Sequence, residues 1–135
     1  MAELSVSTAS REQWIDITSM IQDAVGKSGI GGGACVVYVP HTTAGVTIQE
    51  NADPDVVKDC QMALARMVPD DLPFRHSEGN STAHVKSVLT GSSVTVPVRD
   101  GRLALGTWQA IYFCEYDGPR RRRVIVDLIG GNVNG

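Results

Sequence analysis

Apolar and polar positions alternate from Leu4 to Thr8, the mark of a strand with one buried face. Trp14 to Ile17 reads as a second short strand. From Thr18, which caps, the period lengthens. Ile17, Met20, Ile21, Ala24 and Val25 then share one face of a helix running to about Lys27. The glycine-rich Gly29–Gly33 segment ends that helix and reads as a turn. It lacks the Lys and Ser/Thr of a phosphate loop. Cys35 to Val39 is continuously apolar, as a strand buried on both faces would be, and Pro40 stops it. Val46 to Ile48 is short and β-rich. Asp53 followed by Pro54 predicts an N-cap and first helical residue. The helix runs to about Met67, with Val56, Val57, Cys60, Ala63, Leu64 and Met67 facing inward. Pro69 and Pro73 bracket an irregular connection, and Ser81 caps a helix from Thr82 to Leu89 that ends near Gly91.

The last third is strand-rich. Val94–Val98, Leu103–Leu105, Trp108–Glu115 and Arg122–Ile129 are read as a strand meander. Arg99–Arg102 and Asp117–Pro119 supply its turns. About seven or eight strands with about three unevenly spaced helices predict an α+β domain rather than a doubly wound parallel sheet.

Composition narrows the function. The chain has 135 residues, 42% hydrophobic and 20% charged, which suits a single domain with its own core. A (β/α)₈ barrel needs at least roughly 200 residues and is excluded. The net charge of -3 argues against a general nucleic-acid binder. No apolar run reaches the ~18 residues of a membrane span. The first ten residues show no secretory signal, and Cys35, Cys60 and Cys114 form no close pair. Buried reduced thiols in a cytoplasmic protein are the expectation.

All three histidines, His41, His76 and His84, fall in polar contexts at the edges of elements. His84 lies in a first helical turn, where the dipole favours the uncharged ring that binds metals. Three imidazoles and a water would make an open zinc site. Thr42, Thr43, Glu50, Asn51, Glu78, Asn80 and Ser81 occupy the same stretches, with Glu78 and Glu50 as candidate general bases. Three unrelated histidines are the plainer alternative. In the run Arg120–Arg123, strand alternation sends Arg120 and Arg122 to one side and Arg121 and Arg123 to the other. Arg120 is the candidate for an anion. Charge protecting an edge strand explains Arg121 and Arg123. In Leu105–Gln109, Gly106 allows close backbone approach, and Trp108 either stacks on a ring or fills the core.

Three blocks, HTTAGVTIQENADPDVVKD, FRHSEGNSTAHVKSVLTGSS and GRLALGTWQAIYFCEYDGPRRRRVIV, closely resemble the motifs of the YjbQ family, often described as secondary thiamine-phosphate synthases. The resemblance extends to about Ile129, with Arg120 the matching arginine of the four. It implies a β-sandwich-like α+β core assembled as a homotrimer. It also implies a pocket with His41, His76 and His84 as ligands to one divalent metal ion, zinc or, with a diphosphate substrate, Mg²⁺. Substrate contacts would come from Thr42, Thr43, Asn51, Asn80, Ser81, Thr107, Trp108, Gln109 and Arg120. The implied reaction joins hydroxymethylpyrimidine diphosphate to hydroxyethylthiazole phosphate. Diphosphate departure favours Mg²⁺ on carboxylates and waters, whereas imidazoles favour zinc. The synthase activity would then be a side reaction, with the native substrate another phosphorylated or acidic small molecule handled by zinc-assisted hydrolysis or transfer. A trimeric, non-catalytic metal- or ligand-binding protein is the alternative.

Overall fold

The computed structural model describes residues 1–132. Eight strands and three helices run in the order β1 (Ala2–Ser7), β2 (Gln13–Asp16), α1 (Thr18–Ser28), β3 (Ile30–Tyr38), β4 (Ala44–Glu50), α2 (Pro54–Met67), α3 (Ser81–Thr90), β5 (Ser93–Arg99), β6 (Arg102–Leu103), β7 (Gln109–Glu115) and β8 (Arg121–Asn132). This is a single-domain α+β fold. Two sheets, ordered β1-β8-β3-β5-β6 and β2-β7-β4, are antiparallel throughout. The end of the chain is not the meander expected. β7 joins the small sheet, and β8 returns to the large one between β1 and β3.

The alternating apolar positions explain the sandwich. Val6, Cys35, Val37, Val96, Val98, Val124 and Val126 of the large sheet face Ala44, Val46, Ile111 and Phe113 of the small one. Ile17, Ile21 and Val25 of α1 close this core. Burial pushes the Cys35 thiol up to about 11 and raises the Cys114 thiol, so both stay protonated there. Cys60 is only half-buried, contrary to the expectation for all three thiols.

Three local expectations change. Gly29 ends α1 in a left-handed turn as expected, but the rest of the glycine-rich segment is the start of β3. Gly33 (φ 140°) faces Gly130 (φ 147°), and a Cβ on Gly33 would meet the Ile129 carbonyl oxygen at 2.0 Å. Glycine is there because the two strands lie closer than a side chain permits. The second change concerns α2, which buries none of its residues. Val57 and Leu64 rest against the outer side of the small sheet, with Tyr112, Cys114 and Tyr116, while Ala63 and Met67 stay exposed. A helix laid across so narrow a sheet touches it along one line, not along the wide stripe the periodicity suggested. The third concerns the caps: α3 is capped by Asn80 rather than Ser81, and α1 by Ile17 rather than Thr18, which is its first helical residue.

Helix α3 is fixed firmly. The Ser87 hydroxyl donates to the Ala44 carbonyl at 2.7 Å, and buried Lys86 pairs with Glu12. The Val46 N–H donates to Gly91 O at 3.1 Å. Gly45 makes this approach possible, because a Cβ there would stand 2.6 Å from the same oxygen. The end of α3 is thereby held beside the start of β4.

Candidate functional site

β3 ends at Tyr38, and its last pairing with β8 is Tyr38 with Ile125. Beyond that point the β8 edge lacks a strand partner. His41 fills the gap, its Nε2 accepting the Arg123 backbone N–H at 2.9 Å. A neutral ring accepting at Nε2 carries its proton on Nδ1. Burial, then the charges of Arg122 and Arg123, lower the pKa of His41, which favours that neutral form.

Beside His41 opens a cavity of about 450 Å³ lined by Pro40, Thr42, Thr43, His76, Glu78, Asn80, His84, Asp117, Arg120 and Arg122. Its wall is built on a buried ion pair. Arg122 and Glu115 expose only 6% and 0% of their side chains. Arg122 Nε donates to Glu115 Oε1 at 2.8 Å, and Nη2 donates to Glu115 Oε2 and, at 2.8 Å, to Thr43 Oγ1. Glu115 also accepts from the Thr8 hydroxyl at 2.8 Å and from the Tyr116 and Asp117 N–H groups at 3.1 Å. Burial alone would raise this carboxyl. The Arg122 bond, the Asp117 N–H and the Thr8 hydroxyl overcome that and hold it below the usual carboxylate range.

Asp117 is arranged similarly at the rim. Burial pushes it up, but Asn80 Nδ2 at 2.9 Å and Arg120 Nη2 at 3.0 Å bring it below its ordinary value. Arg120 Nε donates to the Asp117 carbonyl at 2.7 Å. The Arg120 N–H meets Thr8 Oγ1 at 2.8 Å. Among the described residues no protein group takes the Nη1 donors of Arg120 or Arg122. The cavity therefore faces two oriented guanidinium groups, a half-buried imidazole and the start of α3, whose dipole is positive there.

His76 and His84 also line the cavity, their ring centres 5.3 Å apart and nearly perpendicular. Two imidazoles on one tetrahedral ion, with Zn–N bonds of ~2.0–2.1 Å, have ring centres about 5 Å apart. The ring spacing of this pair matches that of two ligands on one zinc ion. His41 does not supply a third, since its Nε2 is engaged by Arg123 and its Nδ1 carries the proton. Among the described residues no three His, Cys, Asp or Glu side chains gather as a metal-binding group.

Several expected site residues lie elsewhere. Glu50, Asn51, Thr107, Trp108 and Gln109 gather at the far end of the β4–β7 ladder, where Glu50 pairs with Gln109. Glu50 lies six residues beyond Ala44 along β4, about 20 Å at ~3.3 Å per residue. There the Asn51 N–H donates to Trp108 O at 3.0 Å, the Tyr112 hydroxyl to Glu50 O at 2.9 Å, and the Gly106 N–H to Gln109 Oε1 at 2.9 Å. Trp108 is 62% exposed, neither in the core nor at the cavity. Ser81 is the first residue of α3 and does not line the cavity. Thr43 does line it, but its hydroxyl is occupied by Arg122. Sequence reasoning missed Arg122, Glu115 and Asp117. Strand alternation had already put Arg122 on the side of Arg120, and only the buried partner was invisible.

Fold and site together define a small α+β sandwich protein with a polar, arginine-walled cavity at one end of its inner strands. Residues 2–131 match the family described as UPF0047 protein YjbQ-like, and the chain belongs to that family. A UPF0047 protein of Methanocaldococcus jannaschii is 50% identical over 93% of this chain and 91% of its own length. The UPF0047 protein YugU of Bacillus subtilis is 48% identical over 94% and 97%. The crystal structure of a yjbq/upf0047 family protein from Clostridium acetobutylicum superposes with a TM-score of 0.93, at 50% identity and 96% and 100% coverage. A YbjQ-like protein from Sulfolobus solfataricus gives 0.90 at 32% identity, covering 96% and 95%.

Proposed function

We propose that the cavity is the site of a metal-assisted enzyme acting on a phosphorylated small molecule. The observation that carries this reading is the convergence of Arg120, Arg122, His41 and the His76–His84 pair on one polar cavity. Arg120 and Arg122 bind the anionic group through their Nη1 donors, and the Glu115–Arg122 pair fixes the direction of the second guanidinium. His41 Nδ1–H donates a hydrogen bond to the bound group. Glu78, at the exposed rim, moves a proton to or from bulk water. His76 and His84 would hold a divalent metal ion, zinc by the preference of imidazole, which would neutralise charge on the phosphate. Thiamine-phosphate synthesis is one reaction of this class. It pairs a diphosphate leaving group, to be held by the arginines, with a second phosphate-bearing reactant.

A non-catalytic ligand-binding role is favoured by one observation, the missing third metal ligand among the described residues. Incubation with hydroxymethylpyrimidine diphosphate and hydroxyethylthiazole phosphate, with zinc or Mg²⁺, tests the enzyme reading. Pyrophosphate release that His84→Ala and Glu78→Gln lower by roughly 10²–10⁴ supports it. Bound phosphate compounds recovered unchanged from a panel of phosphorylated metabolites would favour the binding role.

The assembly we infer is a homotrimer. Exposed Met62, Met67, Leu72, Phe74, Val88 and Leu89 supply the kind of apolar surface that association covers. Light scattering should give about three times the 14.4 kDa chain mass, and a monomer would refute it. No helix of the described residues is long and apolar enough to cross a membrane.

A further inference from the structure

The four consecutive arginines do not serve one face. Arg122 points into the sandwich, where it is buried, while Arg121 and Arg123 stand exposed on the outer face of the large sheet. Strand alternation requires this. Pairing with β1 sets Arg121 opposite Ser7 and Arg123 opposite Ser5. Here a second cavity of about 450 Å³ is lined by Glu3, Leu4, Ser5, His41, Arg121 and Arg123. His41, which plugs the open β8 edge, lines both cavities.

The geometry points to a ligand with two separate anionic groups, one held by Arg120 and Arg122, the other by Arg121 and Arg123, with its connecting body passing His41. This inference deepens the proposed function and rests on its first cavity. Each outer guanidinium has five donors. Among the described residues, Arg121 gives one to Ser5 Oγ at 3.1 Å and Arg123 gives one to Glu3 at 2.5 Å. Both arginines line the second cavity, and their remaining donors have no protein acceptor among the described residues. Glu3 is the one carboxylate lining that cavity, and a ligand anion would compete with it for Arg123. β8 runs between β1 and β3 rather than at a sheet edge, and His41 closes its open stretch, so edge protection does not account for Arg121 and Arg123.

The test uses calorimetric titration at fixed ionic strength. Alkyl monophosphates are compared with α,ω-alkanediol bisphosphates of increasing spacer length, and the readout is the affinity ratio of the two. The expected ratio passes through a maximum of at least about tenfold at one spacer length, as chelation across two sites requires. Arg121→Gln combined with Arg123→Gln should collapse the ratio to near one, and Glu3→Gln should raise it. All three substitutions are at exposed positions, and unchanged melting temperatures would confirm that the variants are folded. A ratio without a spacer maximum, or one that survives the double substitution, overturns the two-anion inference alone. Failure of the wild-type chain to bind either ligand overturns the first-cavity reading as well.

Discussion

At one end of the β4–β7 ladder, Thr43, Glu115 and Arg122 satisfy one another inside the protein, and the cavity opens against them. At the other end, Glu50, Asn51 and Trp108 bond through their main chains and the Gln109 side chain holds the Gly106 N–H; Asn51, Trp108 and Gln109 are exposed and Glu50 is only half-buried. Both ends carry residue types that sequence reasoning assigns to chemistry. They differ in desolvation. A charge fixed by a buried partner keeps its direction and acts through a low dielectric, whereas an exposed one is screened and mobile. Polar residues in a motif are therefore sorted by what lies behind them.

Substitution of the buried pair breaks the contrast most strongly. Arg122→Met leaves Glu115 with a buried charge and no cation. It should lower unfolding free energy by ~3–5 kcal/mol in urea titrations. Acid titration of stability is the next test. The folded pKa of Glu115 lies below its ordinary value. Its contribution is therefore complete above the ordinary carboxylate range of about 4.3 and is lost as pH falls through the folded value. Stability measured from pH 6 downward should drop over that acid range, and Glu115→Gln should lack this part of the drop. At the cavity rim, Arg120→Ala should weaken phosphate binding about tenfold, or ~1.4 kcal/mol, by calorimetry. The far end should respond least. Glu50→Gln and Trp108→Ala should each change stability by no more than ~0.5 kcal/mol and leave phosphate affinity unchanged.

Much of the fold was legible because period alone carries it. The Asp53–Pro54 start of α2, the Gly91 end of α3 and the outward and inward arginines all follow from local geometry. Partnership across the chain was not legible. Glu115 looked like the end of a strand, and only the pairing of Ala44 with Glu115 brings it beside Thr43 and the start of β8. Closeness in sequence misled in the opposite direction. Glu50 shares a motif with His41, but an extended strand carries it away from the cavity. The inward face assigned to α2 failed for a related reason, since periodicity gives a helix an apolar side but not the width of the surface it meets.

The most direct test of the account is an amide chemical-shift titration of the isotope-labelled protein with inorganic diphosphate. The account predicts shifts concentrated at His41, Thr42, Thr43, Asn80, Asp117 and Arg120, with Glu50, Asn51, Trp108 and Gln109 unmoved. Saturable shifts at the far end with none around His41 would contradict it.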